Sequence, residues 1–338
     1  MAIPATDGLS GRALVARLAD GHIQSGERLA LALGVSRTAV WKGIERLRVA
    51  GIAVEALPGR GYRLPEPVEL LETPRLLEAI EPRRRRWLRS VEIPFAVEST
   101  NSRLLARDPP PFGVGDACLC ELQSAGRGRR GRSWIAPFGA GIALSLGWQY
   151  REMPRDLPAL SLAVGVAVVR ALGRAGAIGI GLKWPNDIWL LDAKLGGILI
   201  DLRAEADGPA FVVIGIGVNL ALSAAARAAF AADGVKAAAV ADACGAPPSR
   251  NLTVGLILDE LLQTLVEFEH AGFAPYRQPW AALDVLAGRR AVVSAGDQRI
   301  AGTARGIDED GALRLDVGGD VRRFVAGDVS LRPEGGVA

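Results

Sequence analysis

A glycine- and arginine-rich segment at residues 126–132 is the first part of the sequence whose composition could do chemistry. It reads Gly-Arg-Gly-Arg-Arg-Gly-Arg. Glycine lets the backbone turn several N–H groups toward one anion, and each guanidinium adds a bidentate donor for phosphate or carboxylate. The spacing also matches the GxGxxG pattern of dinucleotide-binding folds, but Trp134 and Pro137 follow where that fold needs a helix. This arginine loop is therefore predicted to bind an anion; the alternative is a solvated run of charge.

Lysine is rare in this chain, and two of its four lysines lie in a second candidate motif. Lys183 begins the run Lys-Trp-Pro-Asn-Asp, which ends at Asp187, and Lys194 precedes a pair of glycines and an apolar strand. The glycine pair allows a ligand or another backbone segment to approach Lys194 closely. A lysine at the start of an apolar strand is either a surface residue whose charge reaches water or a desolvated functional cation. The scarcity of lysine favours the second interpretation.

Small polar side chains stand at the ends of other predicted elements. Ser99, Thr100 and Asn101 open a predicted helix, and Gln123 ends a predicted strand just before the arginine loop. Taken alone, the first three residues are typical of a helix N-cap, and Gln123 carries little information. Asn219 ends a buried strand that contains two glycines, which indicates a turn or a contact with a ligand.

Hydrophobic periodicity predicts the elements that must position these residues. Between residues 90 and 270, strands and helices alternate and are joined by short turns, which is typical of a mixed sheet with helices packed on it. The predicted strands are 117–123, 141–149, 181–184, 188–191, 197–201 and 210–219, and the predicted helices are 102–108, 157–175 and 253–269. The alanine-rich stretch 221–246 is predicted to be partly helical and mobile, and the four arginines at 83–86 to be a solvated surface patch.

The two ends of the chain have different patterns. After Gly288, short strands at 291–294, 300–307, 312–317 and 321–325 are separated by turns, which predicts a small SH3-like β-barrel. Residues 9–66 predict three helices and a hairpin, that is, a winged helix-turn-helix. Nine Lys and Arg residues stand against six Asp and Glu in residues 1–66, so the whole net charge of +3 lies there.

The third helix of this module is basic, which favours binding in the major groove of DNA, although winged helices also dock proteins. The predicted DNA contacts are Ser36, Arg37, Thr38, Trp41 and Lys42 on this helix. Arg60, at the tip of the hairpin, is predicted to reach backbone phosphate or the minor groove.

Composition excludes several other classes of protein. The chain has 338 residues, of which 49% are hydrophobic and 23% charged, so it is neither disordered nor fibrous and is long enough for two or three domains. Three cysteines and two histidines make no zinc spacing, so no metal site built from protein ligands alone is predicted. The most apolar window, 160–169, is too short to span a bilayer. We expect a cytoplasmic protein without a signal peptide or a membrane partner.

Several of these segments together resemble the biotin–protein ligases of the bifunctional class that also repress the biotin operon. The likeness covers nearly the whole chain and rests on ESTN (98–101), QSAGRGRRGRSW (123–134), KWPND (183–187), KLGGIL (194–199), GIGVNL (215–220) and RGIDEDGALRL (305–315), with a winged helix at 25–67. The resemblance implies a multidomain α/β protein. Its parts are a winged helix-turn-helix (1–66), a class II synthetase-like ligase domain of α+β mixed-sheet type (67–285) and an SH3-like β-barrel (286–338).

The same resemblance implies a biotin–[acetyl-CoA-carboxylase] ligase, in which biotin and Mg-ATP give biotinyl-5′-AMP and a lysine of the biotin carboxyl carrier domain then accepts the biotin. The implied biotin-binding residues are Ser99, Thr100, Asn101, Gln123, Arg127, Gly128, Arg129 and Lys194. Those implied for ATP or the adenylate are Arg127, Arg129, Arg132, Trp134, Lys183 and Asn219. Lys194, Asp187 and Arg129 are implied to be catalytic, with Lys194 stabilising charge in the transition state and Asp187 orienting the incoming lysine.

In this class biotinyl-5′-AMP is also the co-repressor, and it favours a homodimer that places two winged helices on a palindromic operator. Three alternatives remain open at the level of sequence. The chain could be a pure regulator whose ligase domain only senses ligand, or a ligase whose winged helix no longer represses. A lipoate ligase shares the fold, but that family lacks the arginine loop and the winged helix.

Overall fold

The computed structural model describes residues 10–204, 208–232, 234–295, 298–325 and 329–333. Its N-terminal module consists of α1 (Gly11–Leu18), α2 (Gly26–Leu33), α3 (Arg37–Val49), β1 (Glu55–Leu57) and β2 (Gly61–Arg63). Ser25 and Ser36 cap α2 and α3 by accepting hydrogen bonds from Arg28 N and Ala39 N, and Gly34, with φ at 65°, ends α2. The predicted winged helix-turn-helix is confirmed.

The central part begins with short elements: α4 (Thr73–Glu78), α5 (Pro82–Arg85), β3 (Leu88–Glu92), β4 (Ala96–Val97), α6 (Thr100–Leu105), β5 (Gly115–Leu119) and β6 (Leu122–Gln123). The longer elements follow: β7 (Gly141–Tyr150), α7 (Leu160–Arg174), β8 (Ile180–Lys183), β9 (Asp187–Leu190), β10 (Ala193–Ala204) and β11 (Ala210–Asn219). Helices α8 (Ala224–Ala232), α9 (Ala241–Cys244), α10 (Arg250–Ala271) and α11 (Ala274–Leu283) complete this part.

Seven of these strands form a sheet in the order β3-β5-β7-β11-β10-β9-β8. Strands β3 and β5 are parallel and the other neighbours are antiparallel, so the predicted mixed sheet is confirmed. Leu144, Ile198 and Ile214 belong to one buried cluster with α7 and α10 on the first face of the sheet. The opposite face is packed by α6, whose Leu104 lies with Cys118 and Phe211. This second face carries most of the residues that the sequence singles out.

Two local predictions were wrong. Residues 117–123 form two strands in different sheets, because β5 belongs to the large sheet and β6 pairs in parallel with β4. The chain turns between them at Glu121, whose buried carboxylate binds Leu71 N and Arg250. The four arginines at 83–86 are not uniformly solvated, since Arg84 forms an ion pair of 2.8 Å with the buried carboxylate of Asp259.

The apolar window at 160–169 lies within helix α7. Together with the turn before it, this helix forms the segment Leu157–Arg174, which is long and apolar enough to cross a membrane by length and composition. The prediction that the apolar stretch is too short to span a bilayer was therefore wrong. In the fold, 61% of this segment is buried, and α7 packs against α10, α11 and the sheet. It is the central helix of the hydrophobic core.

The C-terminal strands are β12 (Arg290–Ala295), β13 (Gln298–Ile307), β14 (Leu313–Val317), β15 (Asp320–Phe324) and β16 (Val329–Pro333). They form an antiparallel SH3-like sheet in the order β15-β14-β13-β12-β16, in which β16 is an addition to the predicted strands. Trp184 donates its indole N–H to Gly311 O at 3.0 Å, so this sheet shares the core of the central part. The outer ends of the predicted terminal domains, 1–9 and 334–338, lie outside the described residues.

Candidate functional site

The second face of the large sheet carries a patch of small residues, which we call the glycine floor: Gly197, Gly215, Gly217 and Ala143. Gly197 on β10 lies opposite Gly217 on β11, which in turn lies opposite Ala143 on β7. A Cβ atom on Gly217 would come within 2.2 Å of Trp134 Cε2, so only glycine lets the indole lie on this backbone. The neighbouring Gly215 would meet Asn101 Oδ1 at the same distance. These glycines let polar and aromatic groups from other segments approach the sheet.

A buried polar cluster stands on one part of this floor. Thr100 donates its backbone N–H to Gln123 Oε1 at 2.8 Å. Ser145 Oγ lies 2.7 Å from Thr100 Oγ1 and also binds Asn101 Oδ1. Ser99 caps α6 through Ser102 N. The structure thus brings the buried segment 99–101 together with the partly buried Gln123, as a set of directional donors and acceptors.

Two members of this cluster, Ser145 and Asp201, were not predicted from the sequence. Ser145 is the one hydroxyl in an otherwise apolar stretch of β7, and that isolated polar residue was the available signal. Asp201, near the end of β10, accepts a hydrogen bond of 2.9 Å from Asn101 Nδ2 and two more, at 3.0 and 3.2 Å, from the Arg127 guanidinium. Nothing in the spacing of the sequence indicates that Asp201 joins the polar cluster to the arginine loop.

The arginine loop is held by contacts with both of its flanks. Gly128 donates to Arg132 O at 2.7 Å, and Arg127 forms an isolated bridge with Ser133, which closes the loop on itself. Arg129 donates to Asn186 Oδ1 at 3.1 Å, in the turn of the second motif. A cavity of about 930 Å³ lies beside the loop, lined by 125–133, 198–202, Pro185, Asn186 and several residues between 153 and 161. The loop's cationic side chains and backbone amides are therefore arranged around a space large enough for a ligand.

Lys194 and Asp187 form the closest ion pair of the site, with Nζ and Oδ1 2.6 Å apart. Asp187 lies opposite Gly197 in the sheet register, and a Cβ atom on that glycine would touch the Lys194 side chain at 3.4 Å. Lys183 also lies on this face, opposite Asp187, with its Nζ 4.3 Å from the centre of the Trp189 ring. The two lysines and the carboxylate thus share one edge of the glycine floor.

The alanine-rich segment contacts the same edge. Lys194 N donates to Lys236 O, and Ala238 N donates to Lys194 O, so this segment runs beside the start of β10. Asn219 donates its amide to Ala238 O at 3.1 Å, whereas its buried Oδ1 has no hydrogen-bond partner among the described residues. The buried indole nitrogen of Trp134 is likewise unpaired in that part of the chain. An unpaired acceptor and an unpaired donor buried near one edge are suited to a polar ligand.

Two cysteines near this face of the sheet, Cys118 and Cys120, are buried. Burial, followed by the neighbouring Glu121 carboxylate, raises the pKa of the Cys120 thiol to about 12. Burial and Glu92 also raise the pKa of Cys118. Because only the thiolate is a good nucleophile, neither cysteine is suited to attack a substrate, and both are small core residues. Within the described ranges, no three His, Cys, Asp or Glu side chains come together as a metal site would require.

The predicted DNA-binding residues lie together on the surface of the N-terminal module. Ser36 caps α3, and Arg37, Thr38, Trp41 and Lys42 are exposed along its first half. Trp41 is 54% exposed, which is unusual for so large an apolar side chain. Arg60 is exposed in the turn between β1 and β2. These residues form one exposed surface, to which Arg37, Lys42 and Arg60 contribute positive charge.

Comparison with known proteins gives three family matches along the chain. Residues 12–63 match an HTH domain, residues 96–219 match the biotin/lipoate A/B protein ligase family, and residues 288–332 match the biotin protein ligase C-terminal domain. The chain is 38% identical to the bifunctional ligase/repressor BirA of Escherichia coli over 94% of this chain and 96% of that protein. It is 31% identical to BirA of Bacillus subtilis over 91% and 93% of the two chains.

The fold is also similar to a solved structure. The biotin protein ligase of Aquifex aeolicus, in complex with biotin and ATP, superposes with a TM-score of 0.60 at 22% identity, covering 73% of this chain and all of that one. At that identity the likeness concerns the fold alone.

Proposed function

Since this chain belongs to the family of bifunctional biotin ligase/repressors, we propose that it activates biotin with ATP, transfers it to a protein and uses the activated intermediate as a signal at DNA. It is a biotin–[acetyl-CoA-carboxylase] ligase. In the first step the biotin carboxylate attacks the α-phosphate of ATP, which forms biotinyl-5′-AMP and releases pyrophosphate. In the second, a lysine amine of the biotin carboxyl carrier domain attacks the mixed anhydride and AMP leaves.

The buried polar cluster is the site we assign to the head group of biotin. A ureido ring has two N–H donors and one carbonyl acceptor, so its burial needs directional partners. Ser99, Thr100, Asn101 and Gln123 offer both hydroxyl and amide groups within one small space. Ser145 joins this set, because its hydroxyl orients both Thr100 and Asn101.

The arginine loop and Lys194 are assigned to the reacting groups. Arg127, Gly128 and Arg129 would close over the biotin carboxylate and the phosphate, which places backbone and guanidinium donors where negative charge grows. The 2.6 Å pair of Lys194 with Asp187 holds the Lys194 Nζ at the edge of the glycine floor. Asp187 would then orient the incoming carrier lysine, whose amine must lose a proton when it attacks.

The nucleotide is assigned to the edge where unpaired polar atoms are buried. Asn219 and Trp134 supply an acceptor and a donor that have no partner among the described residues, and Lys183 and Arg132 supply positive charge. ATP would enter as its Mg²⁺ complex. Mg²⁺ is commonly held by substrate phosphates, waters and one or two carboxylates, so most of its ligands would come with the nucleotide.

For repression, biotinyl-5′-AMP would favour a homodimer, and the dimer would present two α3 helices to an operator. A ligand shifts such an equilibrium only by binding the dimer-competent state more tightly. The exposed residues Ser36, Arg37, Thr38, Trp41, Lys42 and Arg60 are the assigned DNA contacts. ATP and the carrier protein as substrates favour a cytoplasmic location without a membrane partner.

One observation carries this proposal: a buried polar cluster, an arginine loop and a lysine–aspartate pair meet on one glycine-floored face. The test is to mix the protein with biotin and Mg-ATP and to look for bound biotinyl-5′-AMP, then to add a carrier domain and measure labelled biotin on its lysine. Absence of both products contradicts the ligase. Formation of the adenylate without transfer would favour a pure regulator, and lipoate accepted in place of biotin would favour the lipoate branch.

Operator binding with and without biotinyl-5′-AMP separates a repressor from a ligase whose winged helix has lost that role. We expect binding that the adenylate strengthens. Binding that is absent or independent of the adenylate contradicts repression.

A further inference from the structure

A cluster of buried charges joins the DNA-binding module to the polar cluster of the ligase site. Its centre is Glu121, between β5 and β6, whose side chain is fully buried. Glu121 Oε1 accepts a hydrogen bond from Leu71 N at 2.8 Å, and Oε2 accepts one from Arg250 Nη1, also at 2.8 Å. Arg12, in the first helix of the DNA-binding module, places its Nη1 3.6 Å from Glu121 Oε1 and donates Nη2 to Leu71 O.

Apolar contacts cross the same boundary. The hydrophobic cluster of the DNA-binding module is completed by Phe95, Leu122 and Phe138 of the central part. Gly11 lies so close to Phe95 that a Cβ atom there would be 3.1 Å from the ring. Phe95 and Leu122 each border a segment of the polar cluster, since Phe95 leads through β4 to Ser99 and Leu122 directly precedes Gln123.

The short strand β6 connects these contacts to the site. Leu122 N donates to Phe95 O at 3.1 Å, and Ser124 N donates to Val97 O at 3.0 Å. Between these two anchors lies Gln123, whose Oε1 receives the backbone N–H of Thr100. The position of the Gln123 amide is therefore determined by a strand of two residues, and the residue that precedes this strand is Glu121.

We propose that Arg12 is a positioning residue for the biotin site, acting from the DNA-binding module through Glu121 on β6 and Gln123. The inference rests on the assignment of the polar cluster to biotin. Among the described residues, two guanidinium groups lie near Glu121. Arg250 comes from α10 and Arg12 from α1, so of these two it is Arg12 that links the carboxylate to the DNA-binding module. Removing Arg12 leaves Glu121 paired with Arg250, which avoids the buried unpaired charge that would endanger folding.

The test compares the full-length parent with Arg12→Leu, Arg12→Lys and Arg17→Leu in an assay of pyrophosphate release. We expect Arg12→Leu to raise the KM for biotin about fivefold, a common size for coupling between sites, while kcat and the KM for ATP stay unchanged. Arg12→Lys should recover part of the loss, because it restores a cation facing Glu121. Arg17 is an exposed arginine on the same helix, so its variant should behave like the parent. An unchanged KM for biotin in Arg12→Leu, or equal losses in kcat and both KM values, overturns the proposal.

A second measurement needs no substrate. Amide hydrogen exchange at Leu71, Leu122 and Ser124 should be faster in Arg12→Leu than in the parent, and should stay at the parent's rate in Arg17→Leu. Unchanged exchange at these amides overturns the link between Arg12 and β6. If the parent forms no biotinyl-5′-AMP, the proposed function fails, whereas the exchange experiment still decides whether Arg12 positions this strand.

Discussion

The ligase site and the DNA-binding surface are built in opposite ways. The site gathers residues from 99 to 219 on strands, a helix and a loop, and many of its members are buried or partly buried and bonded to one another. The DNA-binding surface takes its residues from 36 to 60, and they are exposed on one helix and one turn. A change in the first region should therefore disturb neighbouring groups as well as the ligand, whereas a change in the second should alter DNA affinity with little effect elsewhere.

The largest expected effect comes from the ion pair of the site. Lys194→Ala removes the ammonium beside Asp187, so negative charge that grows on the phosphate during adenylation is no longer neutralised. We expect the rate of pyrophosphate release to fall about 100-fold or more, as with other losses of electrostatic stabilisation. Lys236→Ala is the matched control, because this lysine lies in the adjacent segment with an exposed side chain. A near-normal rate in Lys194→Ala would contradict its role.

The second largest effect is expected from a substitution in the glycine floor. In Gly215→Ala the new Cβ atom would lie 2.2 Å from Asn101 Oδ1, so Asn101 must leave its hydrogen bonds with Ser145 and Asp201. Overpacking of this kind costs about 1–3 kcal/mol, and we expect biotin affinity to fall about tenfold. Gly173→Ala adds the same methyl group where no atom lies within 4 Å. Calorimetric titration with biotin compares the two variants, and equal affinities would show that Gly215 is not part of a biotin site.

The arginine loop should give a smaller change. Arg129→Gly removes the guanidinium that bonds Asn186 and reaches the cavity, and we expect biotinyl-5′-AMP to dissociate about tenfold faster, the cost of one charge-assisted hydrogen bond. Arg83→Gly is the control, since it removes the same charge from a side chain that is 76% exposed and is not among the residues that line the cavity. Dissociation of the adenylate, followed by chasing with unlabelled biotin, separates the variants. Retention as tight as in the parent would exclude Arg129 from the adenylate contacts.

The same contrast explains what sequence alone could predict. The winged helix was predictable because its signals are local: Ser25 and Ser36 cap helices a few residues away, and the apolar stripe of α3 repeats along one face. The motifs of the site were also visible, since glycines and lysines mark them. Asp201 and Ser145 were missed because their partners, which lie on α6 and in the arginine loop, are far away in the chain. The break at Glu121 had the same cause, as its partner Arg250 is 129 positions away.

On the DNA-binding surface, Arg37→Ala should weaken operator binding about fivefold to tenfold, since one phosphate or base contact is lost. Adenylation should stay at the parent's rate, because Arg37 is exposed and the hydrogen bonds of the site do not involve it. Arg83→Ala removes the same charge from a side chain that is 76% exposed on the central part, and should leave DNA binding unchanged. Fluorescence anisotropy with operator DNA measures the affinities. A loss of ligase activity in Arg37→Ala would break the contrast between the two regions.

The smallest expected effect lies in the linker between the two regions, which is the segment 64–72 between β2 and α4. Burial alone would raise the pKa of Glu69, but hydrogen bonds from Asn251, Ser249 and the backbone N–H of Arg250 hold this pKa below its ordinary value of 4.5. A carboxyl whose pKa is lower in the folded state stabilises the fold above the unfolded pKa, and this contribution is lost as the pH falls through the folded value.

The parent should therefore lose stability relative to Glu69→Gln as the pH falls below about 4.5, by roughly 1 kcal/mol or less for such a hydrogen-bonded group. Denaturant unfolding of both proteins at pH 7 and at pH 4 or below measures the difference. If the difference in unfolding free energy between parent and variant does not change with pH, the Glu69 carboxylate does not stabilise the fold in the expected pH-dependent way. Glu69 anchors the linker to α10 by accepting the N–H of Arg250. The same acidification should therefore lower the protection factor of that amide, measured against its intrinsic exchange rate at each pH, before protection falls within α3.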